Sequence, residues 1–194
     1  MTSPVLHLGA GPNGAGKSSF VTDVLQPTAR LQFVNADQIA AERWPTDQAR
    51  HAYEAAQSAE EERQRLLAAG ESFIAETVFS HPSKVALVEE AIARQYLVHL
   101  HVLLIPVDLA VARVRDRVRR GGHDVPEQKI RERHDRLWWL VAEARATADR
   151  TDFYDNSRAA SPFRLVATYE RGRQVGEPTW PSWAPSVLPR TAPP

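Results

Sequence analysis

The string Gly11-Pro12-Asn13-Gly14-Ala15-Gly16-Lys17-Ser18 constrains this chain more than any other feature. It fits G-x-x-x-x-G-K-[ST], and the chain's own composition produces such a string by chance about once in a thousand sequences of this length. The pattern requires a strand before it and a helix after it. The apolar run Val5–Gly9 and the helical pattern Lys17–Leu25 supply both. Glycines let backbone N–H groups turn inward around a β-phosphate, and the helix N-terminus adds partial positive charge. Gly11, Pro12, Asn13, Gly14, Ala15 and Gly16 would form that cup. Lys17 would reach the β- and γ-phosphates, Ser18 would ligate Mg²⁺, and Ser19 would assist at the helix start. The expected ligand is ATP or GTP with Mg²⁺.

Lysine is scarce elsewhere. Of 24 basic residues only Lys17, Lys84 and Lys129 are Lys, and the rest are Arg. Lys17 stands where a compact point charge fits against phosphate and a planar guanidinium does not. The 24 acidic residues bring the formal net charge to zero, which argues against a globally basic nucleic-acid binder. With no cysteine, disulfides, thiolate metal sites and Cys nucleophiles are excluded. That absence fits a reducing, cytoplasmic setting. No signal peptide and no membrane span are expected.

Strand-like and helix-like patterns alternate through the body. Strands are expected at Val5–Gly9, Leu31–Asn35, Ser72–Glu76 and Tyr96–Ile105, with late strands at Phe153–Tyr154 and Phe163–Tyr169. Arg171-Gly172-Arg173 reads as a hairpin turn. Helices are marked by Ala49, Ala52, Tyr53, Ala56, Ala59, Leu66 and Leu67, closed by Gly70, and by Val85, Val88 and Ile92, with Ser80 as N-cap. A further helix carries Val107, Val111, Val114 and Val118. The last, opened by Pro126, buries Ile130, His134, Leu137, Val141, Ala144 and Ala148. Such alternation predicts an α/β chain with a mainly parallel five-stranded sheet flanked by helices, the P-loop NTPase fold. Residues 1–176 are expected to form this domain. Residues 177–194 form a tail holding six of the 14 prolines, with Trp180 and Trp183 expected to pin it to the body.

The chain lacks the N-K-x-D string of GTPases and the L-S-G-G signature of ABC-type ATPases. Its small size favours a kinase of small molecules. Carboxyl ends of parallel strands face the ligand crevice, and Asp37 and Glu76, followed by Thr77, stand at two of them. One carboxylate would deprotonate an acceptor hydroxyl, while the other would hold acceptor hydroxyls or the water shell of Mg²⁺. Capping of the helix Gln38–Arg43 is the alternative role for Asp37, and a solvated strand end the alternative for Glu76. The segment 112–136 carries nine basic and five acidic residues, a net of +4. Arg113, Arg117 and Arg120 share one helix face. Gly121-Gly122 would act as a flexible joint in an Arg-rich helical lid that closes on the triphosphate; a solvated, salt-bridged helix face is the alternative. His123 sits in the joint. Asn156, in Asp155-Asn156-Ser157, would shape the adenine pocket, with an ordinary turn as the alternative. Asp108 suits a helix N-cap, and His7 and His134 suit packing.

The order and spacing of these motifs resemble the zeta-toxin family of P-loop phosphotransferases, most nearly its chromosomal zeta-like ATPases. The residues that carry the resemblance are Gly9–Ser19, Val34-Asn35-Ala36-Asp37, Glu76-Thr77 with Ser80, Arg113 and Arg117 leading into Gly121-Gly122-His123-Asp124-Val125-Pro126, Arg133, and Tyr154-Asp155-Asn156-Ser157. It spans roughly residues 4–170. The resemblance implies ATP and Mg²⁺ as cofactors and phosphorylation of the 3′-hydroxyl of UDP-N-acetylglucosamine. It makes Asp37 the general base, Lys17 the phosphate clamp, Glu76 the acceptor contact and Arg113 or Arg117 the lid charge. It also implies a small helical antitoxin as partner. Typical members carry Glu-Gly-Thr where this chain has Glu76-Thr77-Val78, and Val78 has no hydroxyl, which leaves a nucleoside, an antibiotic or a protein as other acceptors. The expected function is an ATP/Mg²⁺-dependent kinase acting on a small-molecule hydroxyl, with no nucleic-acid or membrane partner. The alternative is a nucleotide-dependent binding module with slow ATPase activity and no acceptor.

Overall fold

The computed structural model describes residues 3–122 and 124–189. His123 and the last five residues of the tail, Pro193 and Pro194 among them, lie outside the described residues. Seven strands form one sheet: β1 (Val5–Ala10), β2 (Gln32–Val34), β3 (Phe73–Thr77), β4 (Leu97–Leu104), β5 (Arg150–Asp155), β6 (Arg164–Glu170) and β7 (Arg173–Val175). Their spatial order is β2-β3-β1-β4-β5-β6-β7. The first five are parallel, and β6 and β7 are antiparallel additions. The expected five-stranded sheet is therefore the parallel core of a seven-stranded one. The extra strands come from a hairpin closed by Arg171 (φ 46°) and Gly172 (φ 75°). Two successive positive φ angles give the turn whose twist matches an antiparallel pair.

Helices cover both faces: α1 (Lys17–Phe20), α2 (Gln26–Ala29), α3 (Ala36–Arg43), α4 (Ala52–Ala69), α5 (Ser83–Ala93), α6 (Val107–Arg119) and α7 (Glu127–Thr147). The helix expected at Lys17–Leu25 is regular only as far as Phe20. Val21–Leu25 widens into a π-helical turn just before Pro27, whose nitrogen cannot donate to the ladder. In α4 the buried stripe is Ala55, Ala59, Arg63, Leu66 and Leu67, while Tyr53 and Ala56, expected on it, are exposed. α5 begins at Ser83 with Pro82 as its cap, so Ser80 does not cap it; the chain first turns through Phe79 (φ 62°), whose N–H donates to Thr77 Oγ1. Likewise Pro106, not Asp108, precedes the first turn of α6.

β4 explains how the sheet is buried on both sides. Val98, Leu100, Val102 and Leu104 join the larger core with Leu6, Leu8, Phe73 and Trp138. Leu103 points to the opposite core with Phe20, Val21 and Val114. The tail packs on the larger core through Trp180, Trp183 and the fully buried Leu188. Thr179 N–H donates to the Val166 carbonyl at 2.7 Å, and Arg145 donates to the Leu188 carbonyl at 2.6 Å. No helix among the described residues is long and apolar enough to cross a membrane.

Candidate active site

Strands β1, β2 and β3 end on the same edge, and a cavity of about 490 Å³ opens there. Its floor is the loop between β1 and α1. Two glycines make the loop's path possible: a Cβ at Gly11 would lie 2.7 Å from the Leu103 carbonyl oxygen, and one at Gly16 (φ 85°) would lie 2.7 Å from Asn156 Nδ2. Pro12 accepts from Ala15 N–H at 3.1 Å, which closes the loop on itself. Lys17 Nζ donates to the Gly11 and Pro12 carbonyls at 3.1 and 3.2 Å. The ammonium is thus held at the loop by acceptors that a phosphate can replace.

One wall of the cavity is acidic and internally bonded. Ser18 Oγ donates to Glu76 Oε1 at 2.9 Å, and Asn35 Nδ2 donates to the same oxygen at 2.8 Å. Asn35 Oδ1 in turn accepts from the backbone N–H groups of Asp37 (2.7 Å) and Gln38 (3.2 Å). Asn35 is therefore the N-cap of α3. The capping role open to Asp37 is filled two residues earlier, and Asp37 lines the cavity from the first turn of α3.

The opposite wall is basic. Arg113 and Arg117 of α6 and Arg133 of α7 line the cavity. Arg113 donates to the Gly14 carbonyl at 3.3 Å and to the Asn156 carbonyl at 2.9 Å, so it joins the loop to the end of β5. The neighbouring arginines on the outer surface are paired with acids instead. Arg115 bonds Glu127, Arg119 bonds Asp116, and Arg131 bonds both Glu127 and Asp108. The salt-bridged reading describes the outer face of this segment, while Arg113, Arg117 and Arg133 face the cavity. Gly121 and Gly122 close the C-terminal turn of α6. Gly122 N–H donates to the Arg117 carbonyl and Gly121 N–H to the Val118 carbonyl, with Gly121 at φ 86°, the Schellman closure of a helix. A Cβ on Gly122 would meet Arg117 Cγ at 2.5 Å.

Residues 6–138, from β1 into α7, match the family described as the AAA domain. The chain belongs to this AAA domain family. No curated protein matches it in sequence. Among solved structures, the PezAT chromosomal toxin–antitoxin system of Streptococcus pneumoniae matches with a TM-score of 0.59 and 14% identity, over 85% of this chain and 72% of that one. Shikimate kinase from Acinetobacter baumannii, in complex with shikimate, matches with a TM-score of 0.53 and 19% identity, over 81% and 87%. The AvrRxo1-ORF1:-ORF2 structure with ATP matches with a TM-score of 0.59 and 15% identity, over 89% of this chain and 60% of that one. At these identities the likeness is one of fold: a P-loop, kinase-like α/β architecture.

In this AAA domain the structure gathers most of the residues singled out from sequence. Asn13, Gly14, Gly16, Lys17, Ser18, Ser19, Asp37, Glu76, Thr77, Arg113 and Arg117 all line the cavity. Gly11, Pro12 and Ala15 are buried beneath it. Asn156 lies behind the loop rather than in the cavity: it is buried, its Nδ2 donates to the Ala15 carbonyl at 2.8 Å, and its Oδ1 accepts from Phe163 N–H. Arg120 is exposed on an adjoining cleft with Asp116 and Gly122. From sequence Asn35 stands only inside the string Val34-Asn35-Ala36-Asp37 with no role of its own, although an Asn just before a helix is a strong capping signal. Arg133, which the family resemblance includes without a stated role, lines the cavity as well.

The charges in the cavity perturb one another. Burial pushes the Lys17 ammonium below its ordinary value; Glu76 and Asp37 oppose that shift, and Arg117 adds to it. Burial pushes the Glu76 carboxyl up, against Lys17 and the Ser18 hydrogen bond, with Asp37 adding to the rise. Glu76 Oε2 is buried with no hydrogen-bond partner among the described residues. Ser18 Oγ and the Glu76 carboxylate are hard oxygen donors, the set that Mg²⁺ takes, usually with several waters retained.

Proposed function

We propose that this AAA domain transfers the γ-phosphoryl group of ATP to a hydroxyl of a small molecule. The observation that carries the reading is the single cavity in which the phosphate loop, a carboxylate at each of two neighbouring strand ends, and three arginines converge. Loop N–H groups and Lys17 hold the β- and γ-phosphates. Ser18 and Glu76 would hold Mg²⁺, which would supply positive charge to offset that of the β- and γ-phosphates. Asp37 accepts the proton of the acceptor hydroxyl as that oxygen bonds to the γ-phosphorus. The bond from phosphorus to the β,γ-bridging oxygen breaks and ADP leaves. Arg117 and Arg133 face the equatorial oxygens, and Arg113 fixes the loop from its outer side.

Beside Asp37 lies a smaller recess of about 130 Å³, lined by Ala36, Ala40, Gln48, Ala52, Ala55 and Arg117. Its alanines leave room for a compact acceptor portion, with Gln48 and Arg117 as polar residues of its lining. UDP-N-acetylglucosamine is the acceptor to test first, followed by nucleosides and aminoglycoside-type polyols. A small helical antitoxin, the partner implied by the zeta-toxin resemblance, would act by covering this cavity. The deciding experiment incubates the protein with ATP, Mg²⁺ and each acceptor and follows products by ³¹P NMR and mass spectrometry. A phosphorylated acceptor with equimolar ADP is expected. Release of inorganic phosphate alone with every acceptor would overturn the reading. Lys17→Ala should abolish nucleotide binding by calorimetry.

A further inference from the structure

A second polar cluster lies away from the nucleotide cavity, inside the sheet. β1 and β4 are adjacent and parallel, with His7 opposite His99 and Gly9 opposite His101. His7, His99 and His101 therefore project from the same face, where Gly9 adds no side chain to fill the space. His7 Nδ1 and His101 Nε2 are 3.0 Å apart. The His99 and His101 ring centroids are 3.9 Å apart. One ring nitrogen from each histidine can be chosen such that all three lie within 4.8 Å of one another. His101 is buried and His7 and His99 are partly accessible, which leaves an approach from one side.

The surroundings carry a second layer of order. His99 Nε2 is 2.8 Å from Asp152 Oδ2. Asp152, on the neighbouring strand β5, also accepts from Arg150 Nε (2.9 Å) and Thr168 Oγ1 (2.7 Å). A carboxylate on one ring nitrogen fixes the tautomer and aims the other nitrogen outward, as in carboxylate–histidine–metal arrangements. His101 Nδ1 is buried with no hydrogen-bond partner among the described residues. Phe20 and Tyr154 pack against His101 with ring centroids 5.4 and 6.2 Å away, which gives the cluster an apolar border. Buried polar atoms ordinarily find partners, and three imidazoles packed this closely cannot all satisfy one another.

We propose that His7, His99 and His101 bind one divalent transition-metal ion of the zinc class. Neutral imidazoles suit Zn²⁺, Cu²⁺ and Ni²⁺ and do not suit Mg²⁺, so this ion is distinct in kind and place from the one at Ser18. Three nitrogen ligands leave one position of a tetrahedral ion for water. Asp152 is a positioning residue acting through His99. A bound ion would tie β1, which leads into the phosphate loop, to β4.

The test uses the full untagged chain, stripped with a chelator, and titrates it with Co²⁺ and then Zn²⁺. One equivalent of Co²⁺ should give visible d–d absorption, which Zn²⁺ displaces, and Zn²⁺ should raise the melting temperature. His7→Gln and His99→Gln, at the accessible side, should each weaken Zn²⁺ at least tenfold by calorimetry while keeping the wild-type circular dichroism spectrum. His81→Gln, outside the cluster, should bind like wild type. Asp152→Asn should weaken Zn²⁺ less than either ligand variant and shift the Co²⁺ spectrum. Absence of a one-to-one complex in the wild type, or unchanged Zn²⁺ affinity in both His7→Gln and His99→Gln, would overturn the proposal.

Discussion

The two walls of the nucleotide cavity are built on opposite principles. The acidic wall is a closed chain of hydrogen bonds: Ser18 to Glu76, Asn35 to Glu76, and the first turn of α3 to Asn35. Each group fixes the next, and the anchors are strand ends that cannot move without disturbing the sheet. The basic wall stands on α6 and α7, joined through the Schellman turn at Gly121-Gly122. Arg113 ties it to the loop by hydrogen bonds to two carbonyls. A general base must sit within hydrogen-bond reach of one proton, which demands a rigid mount. Charge neutralisation acts over a longer range and tolerates a wall that adjusts.

That contrast can be broken most severely at its chemical centre. Asp37→Asn should lower phosphoryl transfer by roughly 10²–10⁴-fold with ATP affinity nearly unchanged; transfer at the wild-type rate would remove Asp37 as the base. Next comes a paired comparison within α6. Arg117→Ala should lower kcat by roughly 10²–10³-fold, whereas Arg119→Ala, which loses only an exposed pair with Asp116, should leave kcat alone and change stability by less than about 0.5 kcal/mol. Equal effects at 117 and 119 would erase the distinction between the two faces. At the capping residue, Asn35→Ala should cost about 1 kcal/mol of stability and, because Glu76 loses a donor, should also raise the KM for the acceptor; denaturant melts and steady-state kinetics read the two separately.

The subtlest expectation concerns pH. Burial raises the Glu76 carboxyl above its ordinary value, so the folded protein holds this proton more tightly than the unfolded chain does. Stability linked to Glu76 is then complete below the ordinary carboxyl range and is lost as pH climbs through the raised value. Glu76→Gln keeps an oxygen for Ser18 and Asn35 and has no charge to bury. It should melt above wild type at pH 7, with the gap closing towards pH 4, while losing Mg²⁺-dependent activity. A gap that does not change with pH would show that Glu76 carries its charge without cost.

Much of the acidic wall and its sheet was legible in the sequence, because its signals are local. A glycine-rich string between an apolar run and a helix has few physical solutions, and strand ends in a parallel sheet share an edge. The sheet's last two strands were harder to count, since a hairpin added to an edge alters no parallel crossover. Asn35 was obscured because Asp37, two residues on, has an equally good capping side chain, and only geometry decides which is used. The split of the arginines depends on helical phase together with where α7 lies, and charge counting sees neither. The histidines of β4 were masked by the apolar residues between them: Leu97–Leu104 reads as a doubly buried strand, yet every apolar residue from Val98 to Leu104 except Leu103 serves one face.

The missing side chain at position 122 has a consequence for relatives of this protein. Arg117 occupies the volume that any Cβ at 122 would need, so the two positions are not free to drift independently. In a lineage that keeps the arginine, glycine should persist five residues after it; in one that has replaced the arginine with a small residue, position 122 should diversify. Reading that pair across genomes would sort members that retain a working basic wall from those that keep only the fold.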